Sequence, residues 1–276
     1  MNGIVYGTGD IIVDNKITSK ELLLDMYEPL DASGSKRAVV MWLHGGAFVK
    51  GNRDSESFVA IANELAARGY QVLSIDYRTA YMNPVVSEEV QRYYDTIAPH
   101  DTSALEALLG ISEEQYERAI AAAFDDGLTA LKWLTESANE WPIDLSRLVL
   151  MGSSAGATTI NYIAYTADDL GIYRPPIAAV INLWGGLEYT RARGGLATIE
   201  VNESPLFLVH SKEDPFVPYE NSTQIVARAE AIGLPYEFHS LDGNRHGLTE
   251  VPILTMQSDN GYTLFERILL FLERHL

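Results

Sequence analysis

Two short runs, Ala38-Val-Val-Met-Trp-Leu43 and Ala178-Ala-Val-Ile-Asn-Leu183, are apolar at almost every position. A strand with one wet face alternates apolar and polar side chains. A strand without that alternation is buried on both faces, which calls for a largely parallel sheet covered by helices on each side. Five further runs fit the same sheet: Leu22 to Tyr27, Tyr70 to Asp76, Arg147 to Met151, Pro205 to His210 and Tyr236 to Ser240. Helix-length amphipathic stretches separate them, at Ser55 to Arg68, Glu117 to Glu140, Ala155 to Asp168, Glu220 to Ile232 and Gly261 to Leu276. The alternation predicts an α/β architecture in which the two apolar runs lie near the centre of the sheet. No internal repeat, low-complexity tract or Pro/Gly/Ser-rich linker divides the 276 residues, so the expectation is one domain over residues 1–276.

Composition narrows what such a domain does. With 20 basic against 38 acidic residues the net charge is −18, and only six of the basic residues are lysines. Nucleic acid is excluded as a partner, because binding it requires clustered cations to neutralise phosphates. An acidic, lysine-poor surface fits a high-salt habitat, where screening shortens self-repulsion, and fits an ordinary acidic cytosolic protein equally well. There are no cysteines, which removes disulfides, thiol catalysis and Cys-ligated metals. No apolar stretch reaches the roughly 18 residues of a membrane-spanning helix, so no membrane is expected as a partner. Met1 to Asp10 lacks the basic start and apolar core of a secretory signal, which predicts a cytoplasmic protein, with secretion the alternative if a leader has been cleaved.

The connection from the Asp76 strand to the next helix, about residues 79–116, is far longer than the roughly 2 to 6 residues usual for a βα loop. It reads as an insertion, in the position of a lid or cleft wall. Ser112 followed by Gln115 resembles a capping box and predicts a helix within that insertion.

Gly152-Ser153-Ser154-Ala155-Gly156 lies directly between the strand ending at Met151 and a helix. A sharp strand-to-helix turn forces its central residue into a strained conformation and lifts the Ser154 hydroxyl above the sheet. The helix beginning there aims its free amides at whatever the serine attacks. His44-Gly45-Gly46-Ala47-Phe48 follows the buried strand ending at Leu43, and its glycines let backbone amides approach a ligand closely. Together the two motifs predict an oxyanion hole from the amides of Gly46, Ala47 and Ala155, since acyl transfer builds negative charge on one oxygen.

A serine hydroxyl becomes a useful nucleophile only when a base removes its proton and an acid holds that base in the right tautomer. Of six histidines, His246 sits in the polar loop Asp242-Gly-Asn-Arg-His-Gly247 after the last predicted strand, whereas His210 and His239 fall in strands. Asp214, in the loop after the strand ending at His210, is the expected acid, with Glu213 and Asp242 as competing carboxylates. Trp184 follows a central strand and is either a wall of the acyl pocket or a core tryptophan. Phe48, Ser153, Tyr93 and Tyr94 are further pocket candidates.

With these motifs the chain resembles serine carboxylesterases of the α/β-hydrolase superfamily that carry an H-G-G-x-[FW] oxyanion motif, near hormone-sensitive-type lipases and acetyl-xylan and feruloyl esterases. The resemblance runs from Leu23-Leu-Asp-Met-Tyr-Glu-Pro29 through Gly69-Tyr-Gln-Val-Leu-Ser-Ile-Asp-Tyr-Arg78 to Arg245-His-Gly247. It implies an α/β-hydrolase fold with about eight strands, and a triad in the order Ser154, Asp214, His246. It further implies a small-molecule ester substrate, and neither metal nor organic cofactor. One departure stands out: Ala47 occupies the place where the hormone-sensitive type usually has a third glycine. An arylformamidase, a small peptidase or a silent small-molecule-binding relative would carry much the same residues, and monomer and homodimer are both compatible.

Overall fold

The computed structural model describes residues 1–29, 36–88, 90, 92, 110–187 and 198–276. Nine strands form one sheet: β1 (Ile4–Val13), β2 (Lys16–Tyr27), β3 (Arg37–Leu43), β4 (Gln71–Ile75), β5 (Pro84–Val85), β6 (Ile143–Ser153), β7 (Ala179–Leu183), β8 (Leu206–Ser211) and β9 (Tyr236–Leu241). Their spatial order is β5-β1-β2-β4-β3-β6-β7-β8-β9. From β4 to β9 every neighbouring pair is parallel, while β5, β1 and β2 extend the sheet by antiparallel pairing. Five α-helices are described: α1 (Glu56–Ala67), α2 (Glu113–Ser137), α3 (Ala155–Tyr165), α4 (Tyr219–Ile232) and α5 (Leu264–His275). None is long and apolar enough to cross a membrane.

Alternation along β3 shows why the sheet needs both helical layers. Val39, Met41 and Leu43 belong to the core cluster that includes residues of α2, α3 and α4, whereas Val40 and Trp42 belong to the one that includes residues of α1 and α5. Both faces are dry, so the sequence of β3 is apolar throughout. Trp42 stacks on Phe58 of α1 at a centroid distance of 4.1 Å.

The structure corrects the sequence reading at two places. β1 was not expected, and it joins the first half of β2 through a two-residue turn at Asp14-Asn15, where both residues have positive φ. Gly7 and Gly9 interrupt its apolar pattern for a packing reason. A Cβ at Gly7 would lie 2.5 Å from Thr129 of α2, and one at Gly9 would lie 2.4 Å from Arg78 Nε. The Ser112–Gln115 capping box is present, but it starts the long helix α2 rather than a helix within the insertion. Of that insertion, a 3₁₀ turn at Ala80–Met82, the short strand β5 and helical backbone at residues 88, 90 and 92 are described. Residues 93–109, with Tyr93 and Tyr94, lie outside the described residues.

Candidate active site

The carboxyl ends of five adjacent strands, β3, β6, β7, β8 and β9, meet at one edge of the sheet, and each contributes a loop to the same place. Ser154 follows β6 with φ 50° and ψ −121°. Its amide donates to Leu183 O at 2.9 Å, which ties the turn to the end of β7. The flanking glycines have no alternative: a Cβ at Gly152 would lie 2.6 Å from the Gly156 carbonyl carbon, and one at Gly156 would lie 2.1 Å from Leu43 O. Helix α3 therefore passes so close to β3 and to its own strand that only hydrogen fits.

Backbone strain is concentrated at this edge. Nine described non-glycine residues have positive φ, and five of them are Asp or Asn, which tolerate it. The other four are Ala47, Phe48, Ser154 and Trp184, all at this edge, where each such conformation costs roughly 1–3 kcal/mol.

Ser154, His246 and Asp214, separated by 92 and 32 positions, form one hydrogen-bonded chain. Ser154 Oγ lies 2.9 Å from His246 Nε2, and His246 Nδ1 lies 2.7 Å from Asp214 Oδ2. Because ionised Asp214 only accepts, Nδ1 carries the proton and Nε2 presents a lone pair to the serine. The loop of His246 is fixed by its own amide, which donates to Glu250 Oε2 at 2.6 Å. Asp214 Oδ1 accepts from the amides of Phe216 and Val217, both at 2.9 Å. Burial opposes ionisation of Asp214. Hydrogen bonds from His210, His246 and the Val217 and Phe216 amides outweigh it and hold the carboxyl well below the usual carboxylate range. Asp242 is elsewhere, on the surface and 2.7 Å from Lys212 Nζ, and Glu213 is exposed.

The glycine turn after β3 abuts the serine, since a Cβ at Gly45 would lie 3.2 Å from Ser154 Cβ. At Gly46 φ is 124°, and a Cβ there would collide with Lys50 O at 1.9 Å. The carbonyl of Gly46 accepts from the Val49 and Lys50 amides, so the turn is rigid. Its anchor is His44, buried and stacked on Tyr77 at 4.1 Å, with the Tyr77 hydroxyl donating to His44 O. Burial lowers the His44 pKa against a hydrogen bond to the Gly45 carbonyl, which favours a neutral structural imidazole. Among the described residues the amides of Gly46, Ala47 and Ala155 donate to no protein acceptor.

The remaining pocket candidates divide. Trp184 is 1% exposed, packs into the core on the α1 side and still approaches the His246 ring at 6.2 Å. Phe48 is turned inward, buried and edge-on to Tyr116. Ser153 is buried at the end of β6. Phe216, which the sequence did not single out, is 75% exposed with its ring 5.2 Å from His246. His210, read only as a strand residue, lies behind Asp214. The detectable signal for Phe216 was its place two residues beyond the candidate acid.

The chain has the α/β-hydrolase fold. It matches esterase 2 from the planctomycete Thermogutta terrifontis over 99% of its length and 90% of that chain, with a TM-score of 0.65 at 19% identity. A family profile described as alpha/beta hydrolase fold matches residues 116–214, and the BD-FAE profile matches residues 24–91. Among curated relatives from Mycobacterium tuberculosis, the esterase LipI is 27% identical over 57% of this chain and 37% of its own length. Esterase LipC is 22% identical over 82% of this chain and 59% of its own. Carboxylesterase NlhH is 29% identical over 53% and 34%. The chain thus spans less than two thirds of each of these relatives.

Proposed function

We propose that this protein is a serine carboxylesterase that hydrolyses short- to medium-chain esters through an acyl-enzyme. The observation that carries the reading is the unbroken chain Ser154 Oγ, His246 Nε2, His246 Nδ1, Asp214 Oδ2, with links of 2.9 and 2.7 Å. In the first step Ser154 Oγ attacks the ester carbonyl carbon as His246 Nε2 takes its proton. The carbonyl oxygen becomes an oxyanion held by the amides of Gly46, Ala47 and Ala155, whose lack of protein acceptors leaves them ready to donate. Collapse breaks the bond to the alcohol oxygen, which leaves with the proton from His246. Water then attacks the acyl-enzyme, again losing its proton to His246, and the acid is released with the serine restored. Asp214 orients the imidazole and stabilises its cation without taking the proton.

The named esterases among the relatives favour ester over amide substrates. The sequence between residues 79 and 116 is acidic and only moderately apolar, unlike a lid for a lipid interface, which favours acetyl to octanoyl chains over longer ones. The test is turnover of p-nitrophenyl esters of graded chain length beside formamide and amide analogues, together with labelling by a fluorophosphonate. Ser154→Ala is expected to lose labelling and to lower turnover by at least about 10⁴-fold. Retained labelling, or a preference for formamides, overturns the assignment. A histidine base requires activity that rises with pH and then levels; a rate independent of pH removes His246 as the base.

A further inference from the structure

Asp214 Oδ2 faces two imidazoles, and only one of them reaches the serine. The second is His210, the penultimate residue of β8, buried with no solvent exposure. Its Nε2 lies 3.0 Å from Val217 O and 3.4 Å from Asp214 Oδ2. Both atoms are acceptors, so Nε2 must carry a proton, shared between the carbonyl and the carboxylate. Its Nδ1 lies 2.7 Å from the hydroxyl of Ser222, a buried residue of α4. In the neutral ring Nδ1 is an acceptor, so Ser222 donates to it and selects the tautomer that points Nε2–H at the acid. The other groups facing His210 are few: Tyr219 meets its ring edge-on at 5.7 Å while its own hydroxyl donates to Ser240 Oγ.

We propose that the Ser222–His210 pair is a positioning device for the triad acid, a relay from α4 that fixes the Asp214 carboxylate and moderates its pull on His246. The proposal rests on the reading of Ser154, His246 and Asp214 as a triad. A carboxylate oxygen that already accepts from a donor behind it offers less negative charge to the imidazole in front, so removing that donor strengthens the hold of Asp214 on the His246 cation. His246 is exposed to few other charges that could do this. Its ring meets Trp184 and Phe216; of the charged groups on its own loop, Glu250 is engaged with its backbone amide, Asp242 pairs with Lys212 at the surface, and Arg245 donates to the Glu250 carbonyl.

The test compares His210→Leu with His210→Gln, each read by the pH profile of kcat/KM and by thermal unfolding. Leucine fills the space without a donor, whereas the glutamine amide can place an N–H near the position of Nε2. His210→Leu is expected to move the acid limb upward by about half a pH unit, which is about a threefold additional loss below the limb. His210→Gln is expected to return the limb toward that of the wild type. An unmoved limb in His210→Leu, with only a lowered Tm, overturns the proposal and leaves His210 as a structural contact. Should His210→Leu not fold, Ser222→Ala keeps the ring but frees its tautomer, and a smaller shift in the same direction is required. An NMR titration of the His246 imidazole in Ser154→Ala, with and without the His210 change, reads the same shift without turnover. A wild type that hydrolyses no ester therefore sinks the esterase reading while this measurement still decides the relay.

Discussion

Strand β8 has a buried carboxylate near each end, and the two are held in opposite ways. Beyond its carboxyl end, Asp214 is shielded completely yet receives two backbone amides on one oxygen and two imidazoles on the other. Before its amino end, Glu203 is 11% exposed and receives one amide, from Glu200 at 2.7 Å on Oε2. Its Oε1 accepts no hydrogen bond among the described residues, and the Arg174 guanidinium stands off at 4.0 Å. Burial raises Glu203 to about 7, with a push from Asp168 against the Glu200 amide and Arg174, whereas the donors around Asp214 reverse the same burial and drive its pKa down. Burial alone therefore does not set the charge of an interior carboxylate; the number of donors aimed at it does. The end of the strand that carries four donors is the end where Ser154 and His246 meet.

This contrast predicts that damage at the carboxyl edge appears in rate and damage at the amino edge appears in stability. The largest effect is expected from Asp214→Asn. The amide is nearly isosteric, but it presents an N–H where His246 Nδ1–H needs an acceptor, so the imidazole is held in the wrong tautomer. Turnover should fall by about 10⁴-fold, with Tm lowered by only a few degrees. A loss under tenfold would break the comparison, because four donors would then be serving packing alone. A smaller loss is expected from Gly46→Ala. Its added Cβ must displace the Lys50 carbonyl at a backbone φ of 124°, which shifts the free amide of Ala47 as well. The proposed oxyanion donors then miss their target, and kcat should drop by about 10²-fold with KM changed far less, measured on one acetyl ester.

The same contrast explains what the sequence revealed. Ser154, Asp214 and His246 were legible because each follows an apolar run whose end can be located, and a parallel sheet gathers strand ends at one edge. Gly46, Ala47 and Ala155 were legible as local turns. The hairpin of β1 and β2 was not, because Gly7 and Gly9 answer to Thr129 and Arg78, residues distant in sequence, and break the alternation that marks a strand. Its Asp14-Asn15 turn, with positive φ at both residues, was the available signal. His210 was hidden for a related reason. A histidine in an apolar strand reads as core, and only the return of the chain through Asp214 to Ser222 of α4 surrounds it with acceptors and a donor. Glu203 had no periodic signal at all, since its environment is assembled from Asp168, Arg174 and the loop before β8.

The smallest expected effect is therefore also the most discriminating, because it concerns stability and its sign depends on pH. A carboxyl whose pKa is about 7 in the folded protein and near its ordinary value of about 4.5 in the unfolded chain binds its proton more tightly when folded. Folding gains nothing from the group below the ordinary carboxylate range, where both states are protonated, and loses stability as pH rises toward 7, where only the unfolded chain ionises freely. Glu203→Gln keeps the shape, keeps an acceptor for the Glu200 amide and removes the charge. It should leave kcat unchanged and match the wild type in unfolding free energy at about pH 4, then exceed it increasingly up to about pH 8, by roughly 1–2 kcal/mol once solvent screening is allowed for. Asp214, with its pKa displaced the other way, contributes stability above the ordinary carboxylate range and loses it as pH falls. Denaturant titrations across that range separate the two. A Glu203→Gln protein whose advantage shrinks with rising pH would show that Arg174 closes on the carboxylate, and that both ends of β8 satisfy their acids alike.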